Sequence, residues 1–595
     1  MRRADAGLVT ALRRAAQAAP SLTAGLWLTV LLTVLGTVGQ LVVPIAVQQL
    51  LDADVVTGGA DRGQLLRIGA LALVAVLLAL LANRFAMWRL LRAAAIGLAE
   101  LRVATFRHVH RLSTLHVQSE RRGSLVARVT SDIEVVTQFV EWGGVGLLVG
   151  TAQLSLVLAV MTVYDPLLAA LVAGAGALYA GLLVLFQRVL RRRYDEVREK
   201  AAAALAAVSE AISGLPTIRA YGAEARTLPR VDGRLEDARR SEIRAQVLAA
   251  SMFSSAEVFA GGVTALVIGV GVALQPGQLT AGRLVAFLFL VTLFIEPIQL
   301  LVEVLDQAQT AAAGIRRVLA VLDTPVEVED PVPGRPIPPG PIAVEVEDLW
   351  FAYPRGEPGD GDRGDPVVRA VDLQLPAGTR VAVVGETGSG KSTFVKLLTR
   401  LFDPTQGRIL LSGVPLTEVA FASLRSRVIS VPQDGFLFDA TVADNIRYGD
   451  PSASDEDVRT ACRELDLEDW VAELPEGIHT EVGERGGRLS AGERQLVALV
   501  RAWIAHPDLL VLDEATSAVD PALEVRLRRA IERLTAGRTS ITVAHRLSTA
   551  EAADEVLVFD RGELVQRGPH ARLVREDGVY QRLHADWAAG TSATG

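Results

Sequence analysis

The 595-residue chain is too long for one ordinary domain and long enough for two to four. Half of its residues are hydrophobic and its mean hydropathy is +0.32, unusually high for a soluble protein. The net charge of −8 gives no sign of nucleic-acid binding, and the one cysteine, Cys462, excludes an intramolecular disulfide and a cysteine-cluster metal site.

The N-terminus is basic, but the first apolar run is long and no small-residue cleavage site follows it, so no cleavable signal peptide is expected. Six apolar stretches can each cross a bilayer, which takes about 20 helical residues. They cover residues 24–50, 66–88, 137–163, 166–188, 250–274 and 282–305. Leu, Val, Ala and Gly dominate them, as in helices that pack within lipid. Arginine orients them: Arg2, Arg3, Arg13 and Arg14 precede the first span, Arg92–Arg128 separate the second from the third, and Arg188–Lys200 follow the fourth. The other connections are poor in positive charge, so both termini are expected in the cytoplasm.

The two basic connections are long and helix-patterned, so the membrane helices are expected to extend well into the cytoplasm. Each carries a break, near residues 115–124 and 216–226, where Pro or Gly stands beside a short amphipathic turn. Such elbows either dock on a cytoplasmic domain or are plain turns. Glu141, Glu257, Glu296 and Glu303 lie in or near the spans. An acid in the membrane is a functional candidate, unless it sits at a span end or in a wet cavity. Pro297 should kink the sixth span.

Residues 323–342, "DTPVEVEDPVPGRPIPPGPI", read as a semi-rigid linker, and strand-like runs then alternate with helical ones as in a parallel sheet. In "VAVVGETGSGKSTFVKLL" at 381–398, an apolar strand meets Gly385-x-x-x-x-Gly390-Lys391-Ser392 and a helix follows. This is a phosphate loop. Its backbone N–H groups wrap a phosphate, the helix start adds a positive end, Lys391 reaches the β- and γ-phosphates and Ser392 can ligate Mg²⁺. The nucleotide contacts are expected from Gly385, Glu386, Thr387, Gly388, Ser389, Gly390, Lys391, Ser392 and Thr393. In "DLLVLDEATSAVD" at 508–520 the apolar run ends at Asp513, placed to hold Mg²⁺ through water, and Glu514 can polarise the attacking water. A second stretch, "GGRLSAGERQLVAL" at 486–499, offers small residues and Ser490 at a helix start, where free N–H groups can face an anion. Cys462 reads as a structural thiol in a helix.

With these motifs in order, the chain resembles an ATP-binding cassette (ABC) exporter half-transporter of multidrug or lipid type. The resemblance implies a multidomain fold. An all-α polytopic transmembrane domain of six helices spans 1–322, the linker follows, an α/β P-loop ATPase domain covers 343–585, and 586–595 form a flexible tail. "FAYP" at 351–354 resembles the aromatic loop, which implies that Tyr353 stacks on adenine. "VPQDGFLFDATVADNI" at 431–446 resembles the glutamine loop, with Gln433 implied to touch Mg²⁺ or the attacking water. "SAVD" at 517–520 puts Asp520 at a dimer seam, and "VAHRLST" at 543–549 implies that His545 contacts the γ-phosphate. The elbows then resemble coupling helices. Ser490 and Gly492 are implied to bind the γ-phosphate of a nucleotide held by a second chain, so the working unit is a dimer with two ATP molecules between its cassettes.

The signature departs from the usual Leu-Ser-Gly-Gly-Gln: here it is Leu489-Ser490-Ala491-Gly492-Glu493. Ala491 adds a methyl where backbone approaches phosphate, and Glu493 repels a phosphate only if it points at one. An intact hydrolytic half beside an altered signature resembles one subunit of a heterodimeric exporter, this chain being the competent member; a homodimer is the alternative. An ATP-gated channel, a regulatory sensor or an uptake system would use the same fold. Intact Glu514 argues against the first two. An extra domain usually accompanies the last. With no peptidase domain before the spans, leader-peptide processing is not expected. A wide apolar cavity with a few acids suits lipids, hydrophobic drugs or cationic amphiphiles. The Ala/Arg/Val-rich composition suggests a bacterial plasma membrane.

Overall fold

The computed structural model describes residues 10, 13, 14, 17, 19–52, 62–119, 127–274, 280–354, 363–513, 521–544 and 546–592. The chain divides into two compact units, one made of Met1–His110 and Gly123–Asp323, the other of Arg111–Arg122 and Thr324–Gly595. Its first helices, in chain order, are α1 (Leu26–Asp52), α2 (Arg62–Val109), the short α3 (Thr114–Ser119), α4 (Ser131–Gln138) and α5 (Val145–Tyr164). Then come α6 (Pro166–Ser213), the short α7 (Leu215–Ala220), α8 (Glu224–Leu274) and α9 (Ala281–Asp323). All but α3 belong to the first unit.

Six helices among the described residues are long and apolar enough to span a membrane, the third being Ala127–Tyr164 with a π-helical turn at Phe139–Gly144. Four of the six are 43 to 50 residues long, about twice what a bilayer requires, so the helices run on past the lipid. Local chemistry sets their ends. Asp165 Oδ1 accepts the N–H groups of Leu167 and Leu168, both at 2.9 Å, and Pro166 takes the first helical position of α6. α9 runs through Pro297 as one helix.

With no hydrophobic force between helices in lipid, close backbone approach does the packing. Gly36 and Gly39 of α1 face Asn83 and Ala79 of α2, and a Cβ on Gly39 would come within 2.0 Å of the Ala79 methyl. Hydroxyls on α1 are satisfied within the helix: Thr33 and Thr37 donate to the carbonyls of Thr29 and Thr33 at 2.9 Å. Toward the far end of α9, Arg317 forks onto Asp132 of α4, with Nε 2.9 Å from both carboxylate oxygens. Glu257, Glu296 and Glu303 are exposed on this unit and Glu141 is half-buried.

The second unit holds two sheets. Strands β1 (Val344–Phe351), β2 (Val368–Leu375), β3 (Arg380–Val384), β4 (Gln406–Leu411), β5 (Val414–Pro415), β6 (Val428–Val431), β7 (Leu509–Asp513), β8 (Thr539–Val543), β9 (Glu555–Asp560) and β10 (Glu563–Gly568) divide four and six. The smaller sheet, β2-β1-β4-β5, is antiparallel; the larger runs β10-β9-β3-β8-β7-β6 and is parallel except at β10. Strands β3 and β7 are continuous apolar runs because helices cover both faces of a parallel sheet. Helices α10 (Lys391–Leu398), α11 (Phe421–Arg427), α12 (Ala491–Ile504), α13 (Pro521–Thr535), α14 (Leu547–Glu551), α15 (His570–Leu573) and α16 (Val579–Ser592) are those used below.

The proline-rich segment lies along this unit rather than standing free of it. Arg427 at the end of α11 donates to the carbonyls of Ile337, Pro338 and Gly340 and, from Nε, to Asp508 at 2.5 Å. Proline leaves carbonyls without matching N–H groups, and one five-donor guanidinium collects three of them. Ile337 and Ile342 are buried in the core. The first elbow also belongs here: Leu115 of α3 packs against the same core and Ser113 Oγ donates to Glu327 at 2.7 Å. The second elbow, α7, buries none of its residues. Cys462 is buried in a helix at Asp455–Glu464, where desolvation pushes its thiol up to about 12, so it stays an inert structural thiol.

Candidate active site

Sheet order assembles the site. The neighbours β3, β8, β7 and β6 run parallel, so the segments after their carboxyl ends meet along one edge, where α/β sheets bind ligands. The phosphate loop follows β3, Asp513 ends β7, and Gln433 stands two residues past β6. Glu514, Asp520 and His545 lie outside the described residues, directly or shortly after β7 and β8.

The loop needs its glycines. Gly385, Gly388 and Gly390 have φ of +150°, +86° and +98°, and a Cβ on Gly390 would meet the Val367 carbonyl at 2.6 Å. Lys391 Nζ donates to the carbonyls of Gly385 and Glu386, at 2.7 and 2.8 Å, which lays the ammonium across the loop. Ser389 Oγ is buried and makes no hydrogen bond. A positive glycine-lined cradle at a helix start, with an unpaired buried hydroxyl, fits a nucleotide phosphate.

Ser392 Oγ lies 3.5 Å from Asp513 Oδ1. A hydroxyl and a carboxylate brought together beside a phosphate cradle are the hard oxygen donors that suit Mg²⁺. Tyr353 is half-buried, packed edge-on against Phe351, with its hydroxyl 2.9 Å from Thr393 Oγ1. The aromatic ring is thereby tied to the helix that carries Ser392. Gln433 is exposed.

The signature forms a capping box at the start of α12. Ser490 Oγ accepts the Glu493 N–H and the Glu493 carboxylate accepts the Ser490 N–H. Trp470 Nε1 donates to the other carboxylate oxygen at 3.4 Å. Burial raises the Glu493 pKa, but the bonds from Ser490 and Trp470 outweigh it and hold the carboxyl below its ordinary value. Ala491 takes the first helical position, a conformation that costs alanine nothing, and is exposed.

Sequence reasoning missed the structure just past Gln433. Phe436, Phe438 and Tyr448 form an exposed aromatic cluster, with Phe438 stacked on Tyr448 at 4.3 Å. Asn445 is fully buried and pairs with both backbone groups of Phe438 at 2.9 Å. Arg501 of α12 then donates to the Asn445 carbonyl at 2.8 Å and to the Phe436 carbonyl at 3.2 Å. The only trace in the sequence is the run of aromatics in "GFLFD".

Residues 26–298 match the ABC transporter transmembrane region and residues 368–517 the ABC transporter domain. A fatty acid ABC transporter ATP-binding/permease protein of Mycobacterium bovis is 36% identical over 80% of this chain and 74% of its own length. The chain belongs to the ABC transporter family. An ATP-dependent lipid A-core flippase of Chromobacterium violaceum is 32% identical over 82% of each chain. A solved bacterial Atm1-family ABC exporter with ATP bound superposes with a TM-score of 0.77 and 27% identity, covering 94% of this chain and 97% of that one. This ABC protein is a six-span exporter half-transporter whose α/β domain binds ATP and couples its hydrolysis to transport.

Proposed function

We propose that this half-transporter moves an amphipathic lipid-like substrate out across the bacterial plasma membrane by alternating access, as a dimer with its ATPase domain in the cytoplasm. The observation that carries the substrate class is a cavity of about 700 Å³ in the first unit, lined by Val43, Val76, Leu80 and Leu293 together with Gln40, Asn83 and Arg84. No acid lines it among the described residues, in contrast to the expected acids. Arg84 lies about 28 Å along α2 from Leu65, one hydrocarbon thickness away. With both termini cytoplasmic, that is the inner-leaflet interface, where an inward-facing exporter meets lipid headgroups. An apolar chamber with one cation at its inner end suits an anionic headgroup. The fatty acid transporter and the lipid A-core flippase among its relatives are named for lipids.

In this reading ATP joins two cassettes, the elbows carry that closure to the spans, and hydrolysis with phosphate release reopens them. ATP does work through its differential affinity for the two states. Lys391 neutralises charge on the phosphates, Glu514 orients the attacking water, His545 and Gln433 contact the γ-phosphate and the water, and Tyr353 stacks on adenine. Mg²⁺, held by Ser392 and Asp513, would neutralise charge on the phosphate oxygens. Ser490, Gly492 and Asp520 serve the partner's nucleotide.

The partner is a second half-transporter with the usual signature, this chain contributing the competent Glu514. A homodimer is the second reading, favoured by the capping box, which occupies the Glu493 carboxylate with the Ser490 N–H while Trp470 takes its other oxygen. ATPase activity of the chain purified alone, with Glu514→Gln as control, separates them. Cooperative turnover lost in the variant supports a homodimer. A folded, ATP-binding protein without turnover requires the second chain. Turnover that survives Glu514→Gln overturns the assignment of that residue.

A further inference from the structure

Two of the chain's eight histidines meet a glutamate far from the phosphate loop in sequence and in use. Glu551 ends α14, His570 opens α15 and His584 lies on α16. One ligand atom from each lies within 4.8 Å of the other two. Three separate elements are needed to bring them together.

His570 is prepared for a ligand role. Its Nδ1 is 2.7 Å from the hydroxyl of Tyr580, a fully buried ring. The contact fixes the imidazole plane and aims Nε2 toward Glu551 Oε1, 3.9 Å away. That gap is too long for a hydrogen bond. The His584 ring stands tilted beside His570, 5.6 Å between centroids. A metal-binding histidine characteristically has its other nitrogen held by an outer partner, and Tyr580 occupies that place.

We propose that Glu551, His570 and His584 form a site for a divalent transition-metal ion of the zinc type, with a fourth position left to water. Two imidazoles and one carboxylate suit Zn²⁺, Co²⁺ or Ni²⁺ rather than Mg²⁺ or Ca²⁺, which prefer all-oxygen shells. Bonds of about 2.0–2.1 Å bring tetrahedral ligands to about 3.3 Å apart. Closing from 4.8 Å takes side-chain rotation by the half-exposed Glu551 and His584, while His570 stays where Tyr580 holds it. The ion would staple α14, which begins two residues after His545, to the C-terminal helix α16.

The test uses the full chain, tag-free and EDTA-stripped, in detergent without nucleotide and with excess Mg²⁺ to occupy oxygen-only sites. Titration with Co²⁺ should give one ion per chain and the visible bands of a four- or five-coordinate site, and Zn²⁺ should displace it. Tyr580→Phe keeps the ligands and should weaken binding about 10- to 100-fold. His584→Ala and Glu551→Gln should each weaken it by at least that much while ATP binding is kept. No saturable spectrum in the parent chain, or affinity unchanged in both ligand variants, overturns the site.

Discussion

The Glu493 carboxylate accepts the backbone N–H of Ser490 at 2.8 Å, and the Ser490 hydroxyl accepts the Glu493 N–H at 3.3 Å. The acid that replaces an amide in this signature is therefore occupied by its own helix start. Glutamine keeps a carbonyl acceptor there, so Glu493→Gln should leave ATP turnover within about twofold. Glu493→Ala removes half the box and should cost about 1 kcal/mol, read as a lower thermal midpoint.

The same pair gives a pH dependence. A carboxyl held below its ordinary value stabilises the fold above the unfolded pKa of about 4.3, and that stability is lost as pH falls through the lower folded value. The wild-type advantage over Glu493→Gln should shrink on acidification below about pH 4.3. A constant difference between the two unfolding curves down to pH 3 would contradict it.

Gly390→Ala should abolish nucleotide binding. Its φ of +98° disfavours any side chain, and the added methyl would press on the Val367 carbonyl from 2.6 Å. Relief must move the loop or Val367, either of which breaks the cradle around Lys391. Binding of a fluorescent ATP analogue reads this directly, and affinity within threefold of wild type would refute it.

Arg84 sets up a selective loss. Arg84→Gln should reduce stimulation of ATPase by an anionic amphiphile about tenfold, the worth of one charge contact of about 1.4 kcal/mol. Stimulation by an uncharged hydrophobic compound should hold. Equal loss for both would mean that Arg84 supports the cavity wall rather than reading charge.

Arg427→Ala frees three carbonyls of the proline-rich segment and leaves Asp508 without its guanidinium partner. A cost of about 2–3 kcal/mol is expected. Limited proteolysis should then cut within residues 330–342, where the parent chain resists.

Six spans and the order of the two units were legible because their signals are local. Long apolar runs have few soluble uses, and a strand-loop-helix around Gly385–Ser392 needs no tertiary information. The extension of helices past the bilayer was legible in the same way, from pattern without charge gaps. Sheet order was not: nothing in the sequence says that β8 lies between β3 and β7, which is what gathers the loops after them. The direction of Glu493 depends on Trp470, 23 positions away, and the anchoring of residues 337–340 depends on Arg427. The histidine pair escaped notice because His570 and His584 mean little until the fold brings Glu551 beside them.

Arg501 gives the nucleotide unit a mechanical property. It grips Phe436 and Asn445 from the far half of α12, while Gly435 lets its own backbone run against that of Arg494, where a Cβ would lie 2.8 Å from the carbonyl. The stretch after Gln433 is thus clamped at two points along one rigid rod. Ser490 stands about 16 Å along that rod from Arg501. These contacts tie the segment that bears the exposed rings of Phe436 and Phe438 to the same helix that Ser490 caps, so the two shift as one piece only while both clamps hold.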